Sequence, residues 1–176
     1  NEHDEARYIT EKIREVYQKG DSFNDRVILY RMNAQSRVVE DTLLRNAIPY
    51  KVFGGMRFYD RKEIKDLTSY LRLIQNKTDN VAFSRIINEP KRGIGDTTLD
   101  KILKISSETG HSAFEVAKSA SEYAELSRSS AKLQGFVQLI EGLDQKVKDG
   151  QGLVDFVSEV MAETGLISAL EAENTV

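Results

Sequence analysis

The chain has 176 residues, 40% hydrophobic and 30% charged, with no cysteine and a formal net charge of −3. That is enough apolar material for a core, while the missing cysteines exclude disulfides and thiolate metal sites. No apolar run approaches the ~20 residues of a membrane span and no signal-peptide pattern opens the sequence, so a cytoplasmic protein without membrane contact is expected.

Ile9, Ile13, Val16 and Tyr17 share one helical face, which predicts a helix over 4–19 closed by Gly20. Arg26-Val27-Ile28-Leu29-Tyr30 is short, β-rich and apolar and reads as a buried strand. A second helix is predicted over 34–46 with Val38, Val39, Leu43 and Leu44 inward, stopped before Pro49. Tyr50-Lys51-Val52-Phe53 alternates as a second strand. The first 53 residues therefore read as an α/β fragment, whose two strands cannot make a stable sheet alone.

Gly54-Gly55 marks a change, because everything beyond is helical in pattern. Ile64, Leu67, Leu71 and Ile74 make one helix. Asp79 or Asn80 caps a short one over 80–88 carrying Phe83, Ile86 and Ile87, and Pro90 stops it. A helix over 97–109 presents Leu99, Ile102, Leu103 and Ile105 and ends at Gly110. A short helix follows over 111–120, and 121–131 reads as a looser connection. Phe136, Leu139, Ile140, Leu143 and Val147 define the next helix, then Leu153, Val157, Val160 and Met161. The tail from Gly165 carries no terminator.

Residues 51–104 hold twelve Lys/Arg against seven Asp/Glu, a basic middle in an acidic chain. The sequence contains no Gly-x-x-x-x-Gly-Lys-Ser/Thr. His3 and His111 are isolated, no cluster has metal-ligand spacing, and no nucleophilic triad is supported. No catalytic residue and no metal site are expected in this chain. Three stretches remain. Tyr30–Arg37 leaves the first predicted strand for a helix. Arg31 and Arg37 suit phosphates there, and Asn33, Gln35 and Ser36 offer hydrogen bonds, unless the loop is only a capped connection. Gly54–Lys65 alternates Arg57, Arg61 and Lys65 with Phe58 and Tyr59. It suits nucleic-acid contact, or else a hinge and helix start with the aromatics as core. Lys91-Arg92-Gly93-Ile94-Gly95 leads straight into a helix. Its glycines uncover backbone N–H groups beside a helix N-terminus, a phosphate grip in the outline of a helix–hairpin–helix; the plain alternative is an αα-corner.

These stretches, in this order, resemble the UvrD/PcrA/Rep family of superfamily 1 DNA helicases: Ile28–Arg37, Ile48-Pro49-Tyr50, Gly54–Asp66, Tyr70–Ile74 and Lys91–Gly95. The resemblance is strongest over residues 1–110. It implies a partial RecA-like 2A domain over 1–53 and a C-terminally incomplete helical 2B domain over 54–176. It implies an ATP-dependent 3′-to-5′ DNA helicase of repair or replication as the parent, with ATP and Mg2+ held outside this chain. The chain itself would be inactive and serve DNA-backbone binding and domain orientation. By the same analogy Arg31, Asn33, Ser36 and Arg37 face the single strand. Lys91, Arg92, Gly93, Ile94, Gly95 and Thr97 face the duplex backbone, and Gly54 and Gly55 form the hinge. Implied partners are DNA at a single-strand/duplex junction, the 1A, 1B and remaining 2A parts of the parent, and loading proteins of repair or replication. Two alternatives stay open: a helical protein-docking or regulatory module, and a helicase-related subunit of a repair nuclease.

Overall fold

The computed structural model describes residues 1–53 and 57–173, apart from the side chains of residues 33 and 34. The chain divides into two compact units, Asn1–Arg61 and Lys62–Val176.

The first unit is built on two helices packed together, α1 (Glu2–Gln18) and α2 (Asn33–Arg45). The Asn1 side chain accepts from the Asp4 N–H at 3.0 Å, satisfying one of the orphan donors of α1. Glu2, Asp4 and Glu5 sit in its first turn, where the helix dipole favours negative charge. Arg14 donates to the carbonyl of Asn46, just past α2, at 3.0 Å. Ala6, Leu43 and Ile48 are buried between the helices and the following chain. Leu44, expected inward, is 55% exposed, and α2 instead buries Ser36, Glu40 and Leu43.

The α/β reading of residues 1–53 does not hold. Among the described residues there is no strand, and the chain is mainly helical. Arg26 has extended dihedrals (φ −123°, ψ 142°), as its composition favours. A strand, however, requires a ladder of backbone hydrogen bonds to a neighbour, and 26–30 and 50–53 make none with each other. The expected burial fails with the ladder: Val27 is 76% and Leu29 87% exposed.

The second unit carries the main core. Its helices are α3 (Lys62–Gln75), α4 (Asn80–Ile86), α5 (Asp96–Thr109), α6 (Ala113–Lys118), α7 (Ser130–Lys148), α8 (Leu153–Glu163) and α9 (Leu166–Ala172). α3 packs on α4, α7 and α8, and α6 lies against α4, α5 and α7. Tyr70, Leu73, Phe83, Ile86, Ile102, Phe136, Ile140, Leu143 and Val160 are fully enclosed at helical spacing. The Phe83 and Phe136 rings meet edge-on at 5.7 Å, a favoured aromatic geometry. Asp79 caps α4 by accepting from Ala82 N–H at 2.9 Å, and Gly110 closes α5 in the left-handed conformation that glycine tolerates best.

One buried carboxylate is paired from the edge of this core. Asp66, 2% exposed, accepts from Arg85 Nε at 2.8 Å, with the Lys62 ammonium 3.4 Å away. The stretch expected to be loose is ordered as two 3-10 turns, Ala120–Glu122 and Ala124–Ser129, because Leu126 is drawn into the core. The tail turns sharply at Gly165 (φ +81°) into α9, which buries Leu166.

Candidate nucleic-acid interface

The Gly-Ile-Gly loop joins α4 to α5. Its shape follows from two side chains outside the motif, those of Asn88 and Lys132, and from Ile94 within it. Asn88 Oδ1 accepts from Arg92 N–H at 2.8 Å and Ile94 N–H at 3.1 Å, so one amide side chain holds both flanks of Gly93. Ile94 is 1% exposed and belongs to the core. Gly93 has φ +69°, a conformation that costs an L side chain about 1–2 kcal/mol. Lys132, on α7, donates its ammonium to the Gly93 carbonyl at 3.0 Å.

The result is a loop rooted at its centre and open at its exit. Gly95 is the N-cap of α5, with exposed Asp96 and Thr97 in the first turn. Among the described residues no acceptor meets the N–H groups of Gly95, Asp96 or Thr97. Unpaired donors at a helix start carry the positive end of the helix dipole and suit an anion. Lys91 is exposed beside them. Thr98, one residue further, places its hydroxyl 3.3 Å from that of Ser129. Arg92 is different: its guanidinium turns inward and meets carbonyls rather than solvent.

The first unit holds the other predicted residues except Lys65. Arg31 is exposed, and its backbone N–H and that of Met32 both donate to Gln35 Oε1 at 3.2 Å, fixing the start of α2. Asn33 opens α2, and its side chain lies outside the description. Ser36 is 3% exposed, with its side chain on the buried side of α2. Arg37 lies over the Phe58 ring at 4.5 Å, Arg61 is 5.6 Å from the same ring, and Arg57 is 5.3 Å from that of Tyr50. The aromatics thus serve as platforms for the guanidiniums. Tyr59 is 52% exposed rather than core. Lys65 is half-buried on α3, in the second unit. Gly54 and Gly55, the predicted hinge, lie outside the described residues.

Sequence reasoning passed over Asn88, Lys132 and Glu40. The Glu40 carboxylate is buried, its Oε2 accepting from Tyr50 OH at 3.1 Å while Oε1 meets no partner among the described residues. Burial, and secondarily the Glu40 charge, pushes the Tyr50 phenol above its usual value. Among the described residues no three His, Cys, Asp or Glu side chains converge as metal ligands, and no helix is long and apolar enough to cross a membrane.

The chain belongs to the UvrD-like helicase C-terminal domain family, which matches residues 1–167. It is 42% identical over 174 residues to DNA helicase II of Salmonella typhimurium and 41% identical to DNA helicase II of Escherichia coli, each match covering 98% of this chain. It is 38% identical over its whole length to the ATP-dependent DNA helicase PcrA of Bacillus subtilis. The chain spans about a quarter (24%) of the length of each of these relatives.

Proposed function

We propose that this chain is the DNA-backbone-binding and domain-orienting part of an ATP-dependent 3′-to-5′ DNA helicase of repair or replication. The names of the relatives support the parent activity. By the family resemblance, ATP and Mg2+ belong to parts of the parent outside this chain. Residues 1–53 act as part of the 2A domain and 54–176 as most of the 2B domain, with Gly54 and Gly55 as the hinge. Arg31, Asn33 and Arg37 serve the single strand, with Arg57, Arg61 and Lys65 as further basic contacts, while Ser36, on the buried side of α2, supports the helix rather than touching the strand. Gly93, Gly95 and Thr97, with Lys91, serve the duplex backbone, and the buried Ile94 anchors the loop that presents them. Its partners are DNA at a junction, the rest of the motor and its loading proteins.

The observation that carries this reading is the open exit of the Gly-Ile-Gly loop. Unpaired N–H groups at 95–97 follow a loop flanked by the Lys91 side chain and braced by the Lys132 ammonium. Such a surface reads phosphates without reading sequence. The test is binding of the chain to a forked duplex across a salt series. Each phosphate neutralised by a cation adds roughly 0.9 to the downward log–log slope on duplex DNA. Binding with a steep slope and no sequence preference is expected. A flat slope, or affinity for one sequence only, refutes the proposal.

A further inference from the structure

The Arg92 guanidinium sits where three pieces of the second unit end. Its Nη1 donates to the Pro90 carbonyl at 3.0 Å and to the Ile86 carbonyl at 3.3 Å, and its Nη2 donates to the Thr164 carbonyl at 2.8 Å. Ile86 is the last residue of α4 and Thr164 is the C-cap of α8. Carbonyls at helix C-terminal ends lack helical partners and carry the negative end of the dipole, so a cation bridging two of them is doubly favoured. The guanidinium also lies 5.8 Å from the ring centres of Tyr70 and Phe136. Tyr70 completes the corner: its hydroxyl donates to the Glu89 carbonyl at 2.7 Å, and its burial pushes the phenol up to about 12.

We infer that Arg92 is a positioning residue that braces the Gly-Ile-Gly loop against the α8–α9 junction, and that it is not a phosphate ligand. The geometry favours this over a solvent-directed contact. Both η nitrogens donate to carbonyls, from residues 86, 90 and 164, and the guanidinium carbon lies 5.8 Å from the centres of two core aromatic rings. Turning the group outward would strip two helix ends of their cation. The brace passes straight into the loop, because the Arg92 N–H is one of the two held by Asn88. The α8–α9 corner also lies close to Pro90: a Cβ added at Gly165 would come within 3.9 Å of Pro90 Cγ. The orientation of the unpaired donors at 95–97 is therefore tied to a residue more than sixty positions away in sequence.

This inference rests on the proposed duplex contact for its functional side, and the test separates the two. Arg92→Lys keeps the charge but replaces a planar fork by a point donor that cannot span carbonyls from both helices. Arg92→Met removes the charge. If Arg92 braces the loop, both variants lose duplex affinity, by about tenfold or more for charge-assisted hydrogen bonds of this kind. The salt slope then stays at the wild-type value, because no phosphate-neutralising cation has gone. If Arg92 contacts phosphate, Arg92→Met lowers the slope by about 0.9 and Arg92→Lys restores it; that result overturns the inference, as does wild-type affinity in Arg92→Lys. Hydrogen exchange without DNA supplies the independent reading. The Ile94 amide should exchange about tenfold faster in Arg92→Lys, while amides of α7 such as Ile140 keep their protection and report an intact fold. Unchanged Ile94 exchange overturns the brace even where duplex binding is absent. Absence of duplex binding in the wild type refutes the proposed function instead.

Discussion

Gly93→Ala is the sharpest test of how the loop is built. Gly93 has φ +69°, and an added Cβ would lie 2.6 Å from Lys132 Nζ. The backbone term is about 1–2 kcal/mol for an L residue held in this region. The contact term is smaller, since the obstructing atom is the tip of a flexible lysine, and its displacement forfeits the bond to the Gly93 carbonyl. The expected loss is about 1–2 kcal/mol. With a urea m-value of about 2 kcal/mol/M, the unfolding midpoint falls by roughly 0.5–1 M. Gly95→Ala is the internal control. Its φ of −81° suits any residue and no atom lies within 4 Å of the added Cβ. The poorer N-cap is offset by the reduced freedom of the unfolded chain, so its stability stays within about 0.5 kcal/mol of wild type. Urea unfolding followed by circular dichroism measures both. The double variant Gly93→Ala/Lys132→Ala should keep most of the loss, since the backbone cost outlives the lysine. Equal midpoints for the two single variants, or full recovery in the double one, would refute the argument that backbone conformation selects glycine at 93.

Other expectations follow from the same geometry. Lys132→Met should lower the salt slope of duplex binding by about 0.9 if its ammonium neutralises a phosphate while bracing Gly93; an unchanged slope restricts Lys132 to the brace. Arg85→Met leaves the buried Asp66 carboxylate with only the exposed Lys62 ammonium at 3.4 Å, and should cost roughly 2 kcal/mol in urea unfolding, below the range for a fully buried pair because the Arg85 side chain is 36% exposed. A loss below about 0.5 kcal/mol would show that Lys62 suffices. The Ala82 N–H donated to Asp79, with help from Arg72, holds that carboxyl below its usual range. A depressed folded-state value means stability present above the unfolded value near ~4 and lost as pH falls through the folded one. Asp79→Ala should therefore cost about 1 kcal/mol at neutral pH, with the difference from wild type closing in acid; a gap that stays constant from neutral pH down to about pH 2 would contradict this linkage.

The helices of the second unit were readable from the 3.6-residue period, though not always their inner face: in α3 the expected Ile64, Leu67 and Leu71 are only half-buried and the enclosed line runs through Tyr70, Leu73 and Ile74. Tyr70, Leu73 and Ile74 share a face, as do Phe136, Ile140 and Leu143, and all are enclosed. The two expected strands failed for a reason that composition cannot express. Val27 and Leu29 favour extended backbone, yet a strand exists only with a hydrogen-bonded neighbour, and here neither segment pairs with the other. In α2 the apolar pattern favoured Leu44, whereas the buried line runs through Ser36, Glu40 and Leu43. A polar residue on an inward face gives no hydrophobic signal. The Gly-Ile-Gly motif was visible as a turn with uncovered amides, but its supports were not. Lys132 is 39 residues from Gly93 and Thr164 is 72 from Arg92, so no local pattern links them. Arg92 itself looked like a surface cation because residue type reveals charge and not direction.

The buried Ile94 bears on transplantation. A loop whose middle residue is sunk in the hydrophobic interior cannot be moved as a short peptide. Residues 91–98 placed between two foreign helices would carry the glycines and the lysine. They would lack a receiving cavity for the isoleucine and an amide side chain at the position of Asn88 to gather the two neighbouring N–H groups. A host offering both would reproduce the loop even with a different residue at 91. The portable unit is therefore the loop with its seat, and redesign of its shape is better directed at the residues beneath it than at its exposed tip.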